Sequence, residues 1–575
     1  MITGEVGGLS ATCSVLVKRD PSTFAIEFAD SNVKERLVAA FDSNGDGELS
    51  YEEAAVVTSG DDVKNALGSI KTYKSFDEFQ YFIGVTTIPQ SMFEGWNWIT
   101  SFSFPPNIVS VGKNSFKDCI KVQSITLPES VTSVGELAFS GCTSLMSVFI
   151  PESVRRIGRE TFSGCISLEE VSIPKSAVSI GDYAFFNCNH LKKITIPESV
   201  RSIGEYAFFG CSIIKSVTIN GMVSSIGEGA FSGCECLIGF VIPEGVTSIE
   251  NYTFNNCRSL KLVTIPESVN YIGVDAFHGC ASLESIIIPD SVSKIDVGAF
   301  WDCASLKSVQ IPESVCFIGD YAFSGCTSLT SVSIPDSVPV INPLTFEGCI
   351  SMTDVVIPES VSTIGSGAFR GCINLISVHI PKSVSSIGEW AFNDCSGLSS
   401  VIVSGENPVF DSRGNCNAII ESATNKLLYG CRNTTIPKDV TTIGYNAFSN
   451  QTYLTSILIP ENITSIEDYA FQYCSGLVSI VFQEGIRNIG NSAFRGCSSI
   501  TSLVIPKSVT SIGKSAFREC PSLKSITLLP TTPPDGSWWM FDDNSIIFVP
   551  SQSIEYYWTD PYWGSSYEFQ IISNQ

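Results

Sequence analysis

Histidine is almost missing from this chain: there are three in 575 residues, His190, His278 and His379. Spaced so far apart in a repeating chain they cannot converge, so the sequence offers neither a catalytic His system nor a His metal site. Basic residues are scarce as well. The 34 Lys and Arg stand against 58 Asp and Glu, the net charge is −24, and the cations never cluster. That balance argues against nucleic acid as a partner. No run of about eighteen apolar residues occurs, so no transmembrane helix is expected. The opening MITGEVGGLSATCSVLVKRD has no basic stretch followed by an apolar one and is not a signal peptide. LSATC around Cys13 is a poor lipoprotein box, because Thr12 stands where a small Gly, Ala or Ser is expected.

What the chain has in plenty is regularity. Phe recurs every twenty-three residues from Phe93 to Phe392, and again from Phe448 to Phe517. A fixed period of this length is the mark of a solenoid, which grows by adding units. In the unit marked by Phe139, Leu145, Val148 and Ile150 approach the LxxLxL strand pattern of leucine-rich repeats. Val148 and Ile150 should point inward, Ser147 and Phe149 outward. Pro151 ends the strand, Val154 and Ile157 form a second apolar edge, and Gly158 allows a turn. One such unit cannot bury its own faces, whereas stacked units make a continuous core. Each buried Phe contributes roughly 2–3 kcal/mol. The expected fold is an α/β solenoid of about eighteen turns, with a parallel β-sheet face and a small helical segment before it.

The cysteines follow the same beat. Most stand three residues after the Phe, from Cys119 to Cys395 and then at Cys474, Cys497 and Cys520. In-register stacking gives parallel side chains about 4.8 Å apart, a poor geometry for disulfides, so the row reads as buried free thiols. Trp96 and Gln451 occupy equivalent sites, which fits a packing role. Cys416 and Cys431 lie outside the row, and pairing between them stays open. An acidic residue follows the proline in most turns, among them Glu129, Glu152, Glu244 and Glu313. A ladder has no privileged carboxylate pair, so this reads as a solvated acidic edge rather than a glycosidase site.

Before the repeats comes FADSNVKERLVAAFDSNGDGELSYEEAAVV. Asp30 or Ser31 can cap a helix carrying Val33, Leu37, Val38 and Phe41 at helical spacing. Asp42, Asn44 and Asp46 then hold positions one, three and five of a twelve-residue loop. Gly47 makes the turn, Glu48 offers a carbonyl, Ser50 stands at nine and Glu53 closes as a bidentate carboxylate. This is the EF-hand pattern for one Ca²⁺. With no second such loop, calcium here is expected to stabilise the entry to the repeats rather than to signal. Ser75 and Glu78 have capping-box spacing for a short helix that shields the open end of the core.

Segments at 404–433 and 531–575 break the pattern. The first, with turn residues at GEN and DSRGN, reads as a β-hairpin arm beside the solenoid. The second is rich in Trp538, Trp539, Tyr557, Trp558, Tyr562 and Trp563. Its prolines are expected to stop the stacking, leaving a C-terminal cap or a glycan-binding surface. The resulting division is 1–22 an N-terminal strand or domain remnant, 23–74 an EF-hand-like segment, 75–403 and 434–530 solenoid, 404–433 hairpin and 531–575 cap. The outward strand positions are mostly small hydroxyl or apolar residues. They suit a large, shallow partner, with Phe149, Ile287, Gln310, Val356, His379 and Leu458 as candidate contacts.

The literal unit LPESVTSVGELAFSGCTSL, from Leu127, closely resembles the BspA-like leucine-rich-repeat family, and the likeness covers about four-fifths of the chain. NPVFDSRGNCNAII and FDSNGDGELSYEEA resemble segments that accompany such repeats in Bacteroidales surface proteins. GGLSATCSVLV resembles the last strands of bacterial Ig-like domains of the second type, which implies that the chain begins inside a longer protein. The resemblance implies a right-handed, monomeric solenoid, secreted or on the cell surface. Its partner would be an extracellular protein, a matrix component or another cell. It brings no catalytic residues. The alternative is a glycan-handling protein whose activity lies in the aromatic C-terminus or in a domain upstream.

Overall fold

A computed structural model describes residues 2–6, 9–13, 24–536, 539–542, 545–564, 567 and 569–571. The chain divides into two units, Met1–Met222 and Val223–Gln575. Among the described residues the repeats make a parallel-strand β-solenoid of leucine-rich-repeat type with about 21 stacked turns.

The first unit opens with an antiparallel pair, Ile2–Val6 against Leu9–Cys13. Where one strand was expected within residues 1–22, the described residues form two paired strands, and residues 7–8 and 14–22 lie outside the described set. Three helices follow: α1 (Ser31–Phe41), α2 (Tyr51–Val56) and α3 (Gly60–Leu67). Asp30 caps α1, its Oδ1 accepting from Asn32 N at 2.9 Å. Val33, Leu37, Leu49, Ala54, Val63 and Leu67 turn inward from these helices and the loop between them. Beneath them Phe76, Phe79 and Phe82 pack edge-on or tilted against one another. Phe76 and Phe79 also meet Phe93, so the open end of the solenoid core is covered by rings. The helix expected from Ser75 is a 3₁₀ turn, Asp77–Tyr81, without a side-chain cap. Glu78 accepts instead from Ala29 N at 2.7 Å, tying the helical segment to the first repeat.

Each solenoid turn then repeats one geometry. Strand Ser147–Phe149 alternates exposed, buried, exposed, and pairs in parallel with Ser124–Thr126 at Ile125↔Val148 and Thr126↔Phe149. Pro151 starts a tight turn that Val154 N closes onto its carbonyl at 3.1 Å. The serine two places after the proline ties such a turn to the one before: Ser176 Oγ, of the next turn's PKSA, donates to Val154 O at 2.9 Å. The second apolar edge is itself a ladder of two-residue strands, as at Arg156–Ile157 and Ser179–Ile180, paired in parallel. The return leg is a run of turns. The described helices lie outside the repeats, so the helical share of the α/β reading belongs to the entry segment and to α4 (Ile554–Thr559).

Glycine serves differently from the expectation. In SIG and SVG its φ is not positive; at many of these positions, though not at Gly158, successive turns touch. A Cβ on Gly135 would sit 2.6 Å from Lys113 N. Left-handed backbone occurs instead just before the Cys, where Asp118, Gly141, Gly164 and Asn187 all have φ between 56° and 75°, residue types that tolerate it, and again two residues before the Phe, as at Leu137, Glu160 and Tyr183.

In the second unit the Phe rings form a stacked column. Phe277 and Phe300 lie 5.3 Å apart at 2°, and Phe300 and Phe323 5.3 Å apart at 7°. The interruption is not an arm beside the stack. Ala418–Glu421 and Lys426–Gly430 pair antiparallel, and the latter pairs in parallel with Thr442–Ile443, so the hairpin supplies a rung of the short-strand sheet. Ala418, Ile419, Ile420 and Leu427 are buried. The prolines after Phe517 do not end the stack either. Ser525–Leu528, Ile546–Val549 and Phe569–Ile571 continue the parallel sheet, and Phe541 stacks on Phe517 at 5.4 Å.

Candidate functional site

The outward row of the strand sheet is built by period-two alternation: Val309 and Val355 go into the core, and the residues next to them face out. Strand pairing aligns Ile287, Gln310, Ser333 and Val356 in one row. In the same unit His379 pairs with Ile402, and Leu458 with Val481. Ile287 is 80% exposed and Val356 63%. Gln310, His379 and Leu458 are exposed as well. Phe149, 46% exposed, belongs to the first unit beside Thr126. The structure therefore aligns Ile287 with Gln310 and Val356, and does not bring all six candidates into one patch.

Both sides of a parallel sheet are usually covered by other elements. Here, among the described residues, the outward row has no covering element. Its neighbouring row is Ser285, Ser308 and Ser331, continued in register by the exposed Asp354. The result is a partly apolar strip, flanked by one carboxylate beside Val356, on a strongly acidic chain.

The loop at 42–53 is wound by its own side chains. Asp42 accepts from Gly45 N at 2.7 Å and Gly47 N at 2.9 Å, Asn44 from Asp46 N at 2.8 Å, and Asp46 from Glu48 N at 2.9 Å. Ser50 caps α2 and Glu53 reaches back to it, a complete capping box. Glu53 also accepts from Ser43 N at 2.8 Å. These bonds, first the one from the Ser50 backbone and against the cost of burial, pull its carboxyl down to about 2. Lys34 Nζ sits 2.6 Å from Glu48, whose carbonyl rather than its side chain is the expected ligand. The donor set is all oxygen, which fits Ca²⁺. Among the described residues, however, no three His, Cys, Asp or Glu side chains converge on one point, because Glu53 is turned onto N–H and O–H donors.

The cysteine row is a hydrogen-bonded ladder. Cys280 Sγ donates to Phe254 O at 3.2 Å and Cys303 Sγ to Phe277 O at 3.2 Å, each thiol reaching the preceding turn. The described row thiols are free, and so are Cys416 and Cys431. Burial pushes the Cys257 thiol up to about 12, a setting without nucleophilic chemistry. Gln451 takes the Cys place after the hairpin and donates to Cys395 O at 3.3 Å. Of the C-terminal rings, Tyr557 and Trp563 are core, donating to Pro530 O at 3.1 Å and Pro534 O at 2.9 Å. Trp539, Trp558 and Tyr562 are exposed, and Trp538 lies outside the described residues.

The family model described as a BspA type leucine rich repeat region of 6 copies matches residues 71–192, 178–307, 294–415 and 420–533. The chain belongs to that family. A leucine-rich repeat protein from Bacteroides ovatus is 26% identical over 81% of this chain and 88% of its own, with a TM-score of 0.44. A leucine rich cell surface protein from Faecalibacterium prausnitzii is 22% identical over 79% and 88%, at 0.26. The pneumococcal vaccine antigen PcpA is 17% identical over 82% and 93%, at 0.31. No curated protein matches the chain. BspA-type repeat proteins are typically on the cell surface or secreted, and their solenoids typically serve as binding scaffolds rather than enzymes. No described helix of this chain is long and apolar enough to cross a membrane.

Proposed function

We propose that the chain is a cell-surface or secreted adhesion scaffold that holds a large protein partner on the outward strand row. One observation carries this reading: Ile287, Gln310, Ser333 and Val356 form an exposed, uncharged row in strict register, with no covering element among the described residues. An extended flat strip matches a protein surface better than a small substrate, and exposed apolar patches on otherwise polar proteins mark interaction sites. The reading is non-enzymatic. The test is binding of the purified chain to a panel of matrix proteins and to whole cells. Replacing Ile287 and Val356 together by Asp should weaken binding by about tenfold or more, since central apolar anchors carry most interface energy. Binding that the double variant leaves unchanged defeats the proposal.

Calcium at the entry segment belongs to the same reading. Asp42, Asn44, Asp46, Glu53, the Glu48 carbonyl and Ser50 would hold one Ca²⁺, which would brace α1 against α2 where the solenoid begins. Titration calorimetry of the chain with CaCl₂ should show one site that Glu53→Gln removes. The Gln variant can keep the capping box, so a loss of binding would not reflect a lost helix. Equal heats from both proteins defeat the calcium assignment.

A further inference from the structure

Where the hairpin interrupts the repeat, the turns marked by Phe392 and Phe448 become neighbours. The Asn450 amide donates to the Asp394 carboxylate, and Gln451 donates to Cys395 O. Beside this junction lies a cavity of about 370 Å³ whose lining includes Trp390, Asn393, Asp394, Tyr445, Asn446 and Tyr469. A smaller hollow of about 180 Å³ adjoins it and shares Trp390 and Tyr445. In sequence, Asn446 stands where Trp390 and Tyr469 stand in their own turns, and all three have positive φ. That position varies from turn to turn, with Leu137, Glu160, Tyr183 and Gly229 among its occupants, and here an Asn falls between two rings beside the cavity.

Two observations point to a ligand. The first is the pair of amides. Asn393 and Asn446 are each more than nine-tenths buried, yet among the described residues neither side-chain amide has a hydrogen-bond partner. Neither amide is sealed from solvent, so both stay open to hydroxyls that enter the cleft. The second is the rings. Trp390 and Tyr445 are each 41% exposed, and Tyr445 stands edge-on to Tyr469 at 5.6 Å and 82°. Open ring faces beside partnerless amides match a pyranose, which offers a flat C–H face to an aromatic ring and hydroxyls that both donate and accept.

The charges narrow the class. Arg370 lies 3.7 Å from Glu347 and 3.6 Å from Asp394. In the smaller hollow Lys426 is paired with Glu467 at 2.7 Å, and Glu389 adds a negative charge. No cation lining the cleft lacks an acidic neighbour, so sulfated, sialylated and phosphorylated ligands find no compensation. We propose that this cleft is a binding site for a neutral saccharide, with a sugar ring on Trp390 or Tyr445 and its hydroxyls on Asn393 and Asn446. The site is separate from the strand row, and either can fail without the other.

The test is an array of neutral and anionic glycans probed with the full chain, followed by calorimetry on the strongest binder. Selective binding of neutral glycans, weakened about tenfold or more by Trp390→Ala and by Asn393→Ala, supports the site. Trp390 is partly exposed, so its variant remains informative if Asn393→Ala unfolds; thermal melts distinguish the cases. Trp539→Ala, an exposed ring in the C-terminal segment, should bind as wild type. Failure to bind any neutral glycan, preference for anionic ones, or binding lost with Trp539→Ala but kept in Trp390→Ala overturns the proposal.

Discussion

At the scale of the residue, repetition turns weak groups into a ladder. A thiol is a poor donor, but Cys257, Cys280, Cys303 and Cys326 each donate to the turn before at 3.2 to 3.3 Å. Their burial has a reactivity consequence. Native protein treated with a thiol reagent at pH 8 should be modified at exposed Cys316 and partly at Cys236, with the described row thiols reacting only after denaturation. Peptide mass mapping reads this, and rapid native modification of Cys280 would contradict it. The same burial sets a pH limit. Cys257 moves from an ordinary 9.0 to about 12 on folding, so the folded state keeps a proton that the unfolded state releases. Its contribution is full below pH 9 and declines as pH rises toward 12. Urea midpoints should therefore fall steadily above pH 9; a flat profile would contradict the thiol account. Glu53 works in the opposite direction. Its carboxyl is lowered from 4.5 to about 2, so its contribution is present above pH 4.5 and is lost as pH falls toward 2.

At the scale of the element, the repeating unit was legible because each job falls on one residue type, Phe and Cys inside and Pro at the corner; the Ser bridge to the previous turn was not read. The breaks were less legible, since a single occurrence has no period to expose its partners. AII and KLLYG announce a hairpin, but nothing local says that Lys426–Gly430 will become a rung of the sheet. Tyr429 shows how the join is made. Its hydroxyl donates to Gly388 O at 2.7 Å and accepts from Ala391 N at 3.1 Å, with the ring edge-on to Phe392 at 5.7 Å. Tyr429→Phe keeps the ring and leaves a buried N–H without its acceptor, which should cost about 1–3 kcal/mol. A urea melt checks this, and an unchanged midpoint would mean that the hairpin is not coupled to the turn of Phe392. The C-terminal segment misled for a related reason. Its prolines look like stop signals, yet Pro530 and Pro534 offer carbonyls to Tyr557 and Trp563, and the sheet runs on through Ile546–Val549.

At the scale of the whole molecule, a residue copied in every turn builds the solenoid, and function falls to positions that vary. The outward strand row was readable from alternation alone, because period two assigns each side chain a face. The cleft at the break was not readable, since Trp390 and Tyr445 meet only after the hairpin has been folded into the stack. The loop at 42–53 was readable as a pattern of oxygens, but not the commitment of Glu53 to Ser43 and Ser50. The central claim is that partners are held on the strand row. Hydroxyl-radical footprinting of the chain, free and bound to a protein captured in the binding panel, tests it most directly. The account predicts that Ile287, Val356 and nearby outward residues lose reactivity on binding while Tyr453 and Met222, exposed elsewhere, keep theirs. Unchanged reactivity at Ile287 and Val356, with protection confined to other surfaces, would contradict it.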